Sequence, residues 1–297
     1  MTKSNPLSYQ SAGVLPAKLV INQEWNYKNK LRPIHLQIYP TNKCNANCSF
    51  CSCAGRDKSQ ELDWGFLKKE IVTFAVLGGK AITLTGGGEP LMYEKISELI
   101  EFISSINIKV GLVTNGRLLG KTQNLDKLTW CRISSNDNFD RDIVNKIDID
   151  WSLSYVWDGN SIKVKSLIGF SNENPNVSHF RIVNDINNPQ DIPKFDNDEK
   201  VIYQAREGYD TGSKRCWMGI VKPVLNADGL YYPCCGVQYA TNTSKQMPPE
   251  MVIGKTIKEV FDKQKPFDGS VCKKCYYKNY NDVFDLAKSD VKHLEFI

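Results

Sequence analysis

The ten cysteines of this 297-residue chain fall into two groups towards opposite ends, which constrains the fold more than any other feature. The first group is Cys44, Cys48, Cys51 and Cys53, and the second is Cys216, Cys234, Cys235, Cys272 and Cys275, with Cys131 alone between them. The N-terminus lacks the basic and apolar regions of a secretory signal, and no apolar run is long enough to span a membrane. We therefore expect a cytoplasmic protein, in which clustered cysteines are more often metal ligands than disulfides.

Strand and helix patterns alternate between residues 32 and 199, which is typical of a parallel sheet with helical crossovers. Strands are predicted at 34–39, 81–85, 108–113, 131–134, 151–155 and 180–183. Amphipathic helices are predicted at 67–75, ended by Gly78 and Gly79, and at 96–103. The polar stretch 184–199 contains two prolines and is predicted to be a linker or long loop.

The C-terminal part has a different pattern. Ala227-Asp228-Gly229 predicts a hairpin turn between 221–226 and 230–232, with Gly229 free to take a positive φ. The sequence Thr256-Ile257-Lys258-Glu259 has the spacing of a capping box and predicts one short helix. We therefore predict a lead-in at 1–31, an α/β core at 32–199 and a small Cys-rich α+β domain at 200–297.

The spacing C-x3-C-x2-C of Cys44, Cys48 and Cys51 is suited to a cubane iron–sulfur cluster. Three thiolates on a tight loop can hold three irons of a [4Fe–4S] cluster and leave the fourth iron open to an external ligand. The alternative is a zinc site that uses Cys53 as its fourth ligand.

The run C-N-A-N-C-S-F-C after a strand resembles the cluster signature of the radical S-adenosylmethionine (SAM) superfamily. The resemblance implies a partial (β/α)6 barrel in which the open iron binds the amino and carboxylate groups of SAM. In that superfamily SAM is cleaved to a 5′-deoxyadenosyl radical, which abstracts hydrogen from a substrate. This chain is thereby expected to be an enzyme of the oxidoreductase or isomerase type.

Further motifs fit the same resemblance. The run T-G-G-G-E-P is similar to the family's GGE motif, which implies that Gly86, Gly87, Gly88 and Glu89 contact the SAM amino group. Thr114-Asn115-Gly116 matches a TNG turn of the family, and Ser134 stands where a serine often meets the SAM ribose or carboxylate. Ser134, Ser152 and Ser154 are also explained by generic hydroxyls at strand ends.

The second cysteine group follows the pattern C-x12-G-x4-C and then C-x2-C, which is similar to the framework of SPASM and Twitch domains. No cysteine follows Cys275, which favours the one-cluster Twitch form. The resemblance implies that Cys216, Cys234, Cys272 and Cys275 hold an auxiliary [4Fe–4S] cluster that relays electrons. Cys235 could replace Cys234, and a structural zinc site uses the same residue types. Cys131 is expected to be a buried strand residue.

The substrate is less constrained by the residues. The net charge of +5 is compatible with an anionic substrate or a nucleic acid. We expect a small polar molecule or a modified nucleoside or nucleic acid, including phage-type DNA hypermodification, ahead of a peptide, because too few residues precede the first strand for a leader-binding domain. We expect a reductase or a flavodoxin-type protein as the electron donor. We expect no association with a membrane.

No general base is assigned, because His35, His179 and His293 are scattered along the sequence. Two other classes compete with the enzyme. One is a zinc-stapled nucleic-acid-binding protein, and the other is an iron–sulfur electron carrier, which leaves the three-cysteine spacing unexplained.

Overall fold

A nine-stranded sheet organises the chain in the computed structural model, which describes residues 30–204, 210–240 and 247–288. His293 and nearly all of the lead-in lie outside these residues. The strands are β1 (His35–Ile38), β2 (Ala81–Leu84), β3 (Lys109–Thr114), β4 (Trp130–Ser134), β5 (Asp150–Val156), β6 (Val177–Val183), β7 (Val201–Gln204), β8 (Val224–Leu225) and β9 (Tyr231–Tyr232). Their order across the sheet is β7-β6-β5-β4-β3-β2-β1-β8-β9.

Helices connect the strands and follow them in the C-terminal part. They are α1 (Trp64–Val76), α2 (Ile96–Ser105), α3 (Asp142–Lys146), α4 (Ser161–Glu173), α5 (Met218–Val221), α6 (Val237–Ala240), α7 (Ile257–Lys263) and α8 (Lys278–Lys288). Between β3 and β4 the chain forms two 3₁₀ turns, Leu119–Lys121 and Leu125–Lys127. No helix of the described residues is both long and apolar enough to cross a membrane.

Strands β1 to β7 pair in parallel, which confirms the predicted α/β class and all six predicted strands. One face of the sheet is apolar, carries Leu36, Ile82 and Leu112, and forms a single core with the buried sides of the connecting helices. Burying this face supplies the main driving force for folding.

Helix α1 shows why the local predictions succeed. The Asp63 side chain accepts a hydrogen bond from the Phe66 amide at 2.8 Å and caps the first turn. Leu67, Ile71 and Phe74 lie on the buried side. The helix ends where Gly78 takes a φ of 95°, a conformation that costs glycine little.

The opposite face of the sheet is polar yet buried, and we call it the polar face. It is defined by Gln37, Thr83, Arg132, Ser152, Ser154 and His179, each at most 7% exposed. The register places these residues on one side, because Gln37 pairs with Thr83 and Ser152 pairs with both Arg132 and His179. A buried polar face is the part of a parallel sheet where a ligand can be held.

Both edges of the sheet extend beyond the six predicted strands. Strand β7, which the sequence did not predict, pairs in parallel with β6. The predicted hairpin forms around Gly229, whose φ is 80°, and its first strand β8 pairs in parallel with β1. The sheet therefore continues past residue 199, and the division into regions at 31 and 199 stays a prediction.

Glu70 on α1 ties this C-terminal hairpin to the core. Its buried carboxylate accepts hydrogen bonds from the Tyr231 hydroxyl at 2.8 Å and from the Ile257 amide at 2.6 Å. Ile257 begins α7, which Thr256 caps by accepting from the Glu259 amide at 3.2 Å, as the capping-box spacing predicted.

We expect Glu70→Ala to lower the free energy of unfolding by about 2 kcal/mol, because it leaves the Tyr231 hydroxyl and the Ile257 amide buried without an acceptor. Chemical denaturation measures the change. Glu173→Ala at the exposed end of α4 is the matched control and should have little effect. Equal stability of the two variants would contradict this role of Glu70.

Candidate metal and cofactor site

The first cysteine group lies on the segment between β1 and α1, which we call the cluster loop (residues 39–63). An antiparallel bridge between Thr41 and Glu61 closes its base. Cys51 donates its amide to the Cys48 carbonyl at 3.1 Å, and Cys44, Cys48 and Cys51 are all half-buried. Burial raises the pKa of Cys48, and the charges of Asp137 and of the other two cysteines raise it further. Cys44 and Cys51 therefore lie close enough to Cys48 for their charges to act on its thiol.

Arg56 holds the inside of the cluster loop. Its guanidinium donates to the backbone carbonyls of Asn42 at 2.9 Å and Cys53 at 2.6 Å. The same group lies 3.5 Å from Cys51 Sγ. A donor aimed at a ligating sulfur stabilises its thiolate form and tunes an iron–sulfur cluster.

The glycine loop (residues 86–88) is hydrogen-bonded to the cluster loop. The Gly88 amide donates to the Thr41 carbonyl at 3.2 Å, and the Glu89 amide donates to the Lys43 carbonyl at 2.8 Å. A Cβ on Gly88 would lie 2.2 Å from the Lys43 carbonyl oxygen. Glycine is therefore required there by the close approach of two backbones.

Glu89 is engaged within the protein. Its carboxylate accepts hydrogen bonds from Thr114 Oγ1 at 2.6 Å, from the Asn115 amide at 2.7 Å and from the Leu91 amide at 3.1 Å. Burial raises the pKa of this carboxyl, although the three hydrogen bonds act in the opposite direction. Glu89 thus fixes the turn after β3, and its contact with SAM stays a prediction.

We expect Glu89→Gln to destabilise the fold by about 1–3 kcal/mol, because an amide NH₂ would face the Asn115 amide or the Thr114 hydroxyl in place of an acceptor. The denaturation midpoint reports the loss. Glu94→Gln, nearby but exposed, controls for the change in charge. If both variants unfold at the same midpoint, Glu89 does not hold this turn.

The turn after β3 also reaches the cluster loop directly. Asn115 Nδ2 donates to Asn45 Oδ1 at 2.7 Å, and the Arg117 guanidinium donates to the Asn45 carbonyl at 2.5 Å. Arg117 forms an ion pair with Asp137 after β4 at 3.0 Å. The carboxyl ends of β1, β3 and β4 are therefore joined by side chains around the first cysteine group.

Ser134 lies at the carboxyl end of β4, half-buried and paired in register with Ser154. Ser154 Oγ accepts hydrogen bonds from Arg181 Nη2 at 3.0 Å and Nε at 3.3 Å. The roles of Ser134, Ser152 and Ser154 toward SAM remain predictions.

Backbone bridges assemble the second cysteine group. Cys216 exchanges two hydrogen bonds with Phe267, of 2.8 and 2.9 Å, and the Cys275 amide donates to the Asp210 carbonyl at 2.8 Å. The Gly212 amide donates to the Cys272 carbonyl at 2.8 Å. These hydrogen bonds align residues 210–216 with residues 267–275 and so bring Cys216 close to Cys272 and Cys275.

The thiols of this group share an apolar environment. Burial raises the pKa of Cys216 to about 12, and the charges of Cys275 and Cys272 raise it further. Burial also raises the pKa of Cys234, followed by the charges of Cys235 and Cys216. The four predicted ligands are therefore neighbours.

Cys234 and Cys235 make different contacts. Cys235 Sγ lies 3.2 Å from the Tyr277 hydroxyl, whereas Cys234 Sγ accepts from the Gly236 amide at 3.3 Å and interacts with the charges of Cys235, Cys216 and Cys272. Cys234 as the ligand stays a prediction. Cys131 is fully buried in β4, as predicted.

The donor sets fit the groups that the sequence motifs imply. Three half-buried thiols with an arginine donor suit a cluster with one open iron. Four thiols, of which Cys272 is buried and the others are half-buried, suit a cluster closed by protein. Among the described residues, no three His, Cys, Asp or Glu side chains are grouped as ligands of a single metal ion.

A cavity of about 240 Å³ lies between the cluster loop and the C-terminal part of the chain. Asn42, Arg56 and Gly87 line it from one side, and Asn226 and Gln238 line it from the other. Cys53 Sγ contacts Gln238 Oε1 at 2.6 Å across this boundary. A ligand in the cavity would touch both cysteine-bearing parts.

Sequence reasoning missed Asn45, Arg56, Arg117 and Asp137. Asn45 lies inside the cysteine motif and Arg117 directly follows the TNG turn. Their positions beside these motifs could have identified both as candidate site residues. Nothing in the sequence indicates that Arg56 or Asp137 faces a cysteine.

The fold and the site together define an α/β protein with a three-cysteine loop at the carboxyl edge of a parallel sheet. Residues 38–135 match the family model described as the radical SAM superfamily. This matched stretch, about a third of the chain, holds the cluster loop, the glycine loop and the turn after β3.

Curated relatives match over limited lengths. GTP 3′,8-cyclase of Aquifex aeolicus is 34% identical over 129 residues, which cover 39% of this chain and 40% of the relative. The S-adenosylmethionine-dependent nucleotide dehydratase of Flammeovirga pacifica is 38% identical over 100 residues, which cover 31% and 34%. The chain thus spans about a third to two fifths of these relatives.

Solved structures share the fold over more of the chain. SuiB of Streptococcus suis bound to precursor peptide SuiA has a TM-score of 0.55 and 16% identity, covering 78% of this chain and 65% of SuiB. The structure of anSMEcpe with bound AdoMet and Cp18Cys peptide has a TM-score of 0.53 and 16% identity, covering 77% and 80%. These likenesses establish the fold.

Proposed function

We propose that this protein is a radical SAM enzyme that uses two [4Fe–4S] clusters to modify a nucleotide-class small molecule. The observation that carries the proposal is that the cluster loop, the glycine loop and the turn after β3, which contains Asn115, meet at one edge of the sheet. Hydrogen bonds join all three, so their mutual positions are fixed before any ligand binds.

Cys44, Cys48 and Cys51 would hold the first cluster, with Gly86, Gly87, Gly88, Asn115 and Ser134 around SAM. When bound, and with one electron from a reductase or flavodoxin-type donor, this pair supplies methionine and a 5′-deoxyadenosyl radical that takes a hydrogen atom from the substrate. The protein contributes by positioning: Arg56 fixes the loop, and Glu89 holds Asn115 against Asn45.

Cys216, Cys234, Cys272 and Cys275 would hold the auxiliary cluster in a Twitch-like arrangement. The proximity of Cys234 to Cys216 and Cys272 supports Cys234 over Cys235 as a ligand. Four thiolates leave no open iron, so this cluster would exchange an electron with the substrate radical and would not bind the substrate.

The names of the curated relatives support a nucleotide-class substrate. One is a GTP 3′,8-cyclase and another is an S-adenosylmethionine-dependent nucleotide dehydratase. The peptide-bound structural neighbours are too distant in sequence to favour a peptide.

Anaerobic reconstitution followed by metal analysis and addition of dithionite and SAM tests the proposal. About eight irons per chain and formation of 5′-deoxyadenosine are expected. About four irons plus one zinc, still with cleavage, would make the C-terminal cysteines a structural zinc site. Zinc alone and no 5′-deoxyadenosine would overturn the enzyme and favour the zinc-stapled binding protein.

A further inference from the structure

The polar face contains a row of three buried side chains in adjacent parallel strands. Arg132 on β4 pairs in register with Ser152 on β5, which pairs with His179 on β6. They are 6%, 1% and 0% exposed. The row lies on the polar face, two residues before the carboxyl end of β4 and four residues before the carboxyl ends of β5 and β6.

In this row, Ser152 Oγ and His179 Nε2 have no hydrogen-bond partner among the described residues. Ser178 Oγ donates to the Trp151 carbonyl at 3.0 Å and therefore accepts from His179 Nδ1, also at 3.0 Å. This tautomer leaves His179 Nε2 as an acceptor. Buried polar atoms are normally satisfied, so both point to a ligand on this face.

Arg132 in this row is one of three cations in this region, and the other two are Arg181 and Lys222. Arg181 lies on the same face, paired in register with Ser154. Burial lowers the pKa of His179 to about 3, with Arg132 and Arg181 acting in the same direction, which places both guanidinium groups beside a neutral imidazole. The third cation is Lys222, which directly follows α5 and lies close enough to Arg132 for their charges to interact.

Lys222 is 2% exposed, and its Nζ lies 5.6 Å from the centre of the Tyr277 ring. It forms no ion pair with a carboxylate of the described residues. Burial lowers its pKa and Arg132 acts in the same direction, whereas the nearby thiols of Cys235 and Cys234 act against it. A buried ammonium is costly unless an anion compensates it, so Lys222 indicates a site built for negative charge.

We propose that the polar face binds a phosphate group of the substrate through Arg132, Arg181 and Lys222. This inference rests on the proposed function, since it names how a nucleotide-class substrate is held. Guanidinium groups match phosphate oxygens in bidentate geometry, and three cations exceed what one carboxylate would need. Ser152 donates to a phosphate oxygen, and His179 Nε2 accepts from a hydroxyl of the same ligand.

Binding is measured by calorimetry on the reconstituted full-length protein with three probes: GTP, inorganic pyrophosphate and guanosine. We expect GTP to bind more tightly than guanosine. Lys222→Gln and Arg181→Gln should each weaken GTP and pyrophosphate by about tenfold or more, whereas Lys222→Arg should recover most of the affinity. Lys146→Gln, an exposed change on α3, should match the wild type.

Several results would overturn the inference. GTP and pyrophosphate affinities unchanged in both folded glutamine variants would remove the phosphate site. Loss of SAM affinity alone would assign the cations to the SAM carboxylate, and a shifted reduction potential with unchanged GTP binding would assign Lys222 to the auxiliary cluster. Lys222-dependent GTP binding without any SAM cleavage by the wild type would sustain this site and refute the proposed function.

Discussion

Cys48→Ala is expected to reduce 5′-deoxyadenosine formation to background and to remove about four irons per chain. Cys48 is the middle thiol of the motif, and its neighbours Cys44 and Cys51 would be left to hold the first cluster alone. Two thiolates on a half-buried loop do not retain a cubane with an open iron. Iron analysis and quantification of 5′-deoxyadenosine after dithionite reduction measure both effects.

Cys131→Ala is the matched control, because Cys131 is fully buried in β4 and lies outside both cysteine groups. It should keep all irons and full SAM cleavage, at a cost of about 1 kcal/mol in stability for the small cavity. A Cys48→Ala protein that cleaves SAM at the wild-type rate would refute the assignment of the first cluster.

Cys275→Ala is expected to remove the other four or so irons while SAM cleavage continues, and to stop product formation from a nucleotide substrate. Its backbone is anchored to Asp210, and its thiol is the neighbour of Cys216 and Cys272. Removing one of the four proposed ligands would open the auxiliary cluster, and the electron left on the substrate radical would then have no acceptor.

Cys235→Ala controls this experiment, since its thiol lies against the Tyr277 hydroxyl. It should retain all irons. If Cys235→Ala loses iron and Cys234→Ala does not, Cys235 is the ligand. Unchanged iron content and product yield in Cys275→Ala would rule out the auxiliary role of this residue.

Local features of the fold could be read from the residues in order. The cap at Asp63 and the glycine at 78 bound α1, and the turn at Gly229 forms the hairpin. These depend on interactions within a few residues, for which local propensity is sufficient. Strand β7 was missed because its four half-buried residues show no alternation and depend on pairing with β6.

The features of the site also divide into those predicted from the sequence and those seen only in the structure. The spacing of Cys44, Cys48 and Cys51 and the glycines after β2 indicated a radical SAM domain, and residues 38–135 match the model of that superfamily. The hydrogen-bond partners of the site residues could not be predicted from the sequence. Glu89 was predicted as a cofactor contact, which stays a prediction, and its hydrogen bonds to Thr114 and Asn115 were not foreseen.

Motif spacing, the positions of six strands and turn chemistry were thus predicted from the residues alone, because each is decided by neighbours along the chain. Three features needed the folded chain: the contact of Asn45 with Asn115, the addition of β8 to β1, and the row of Arg132, Ser152 and His179. Each joins residues far apart in sequence, and strand register and packing, which no local pattern encodes, decide which of them meet.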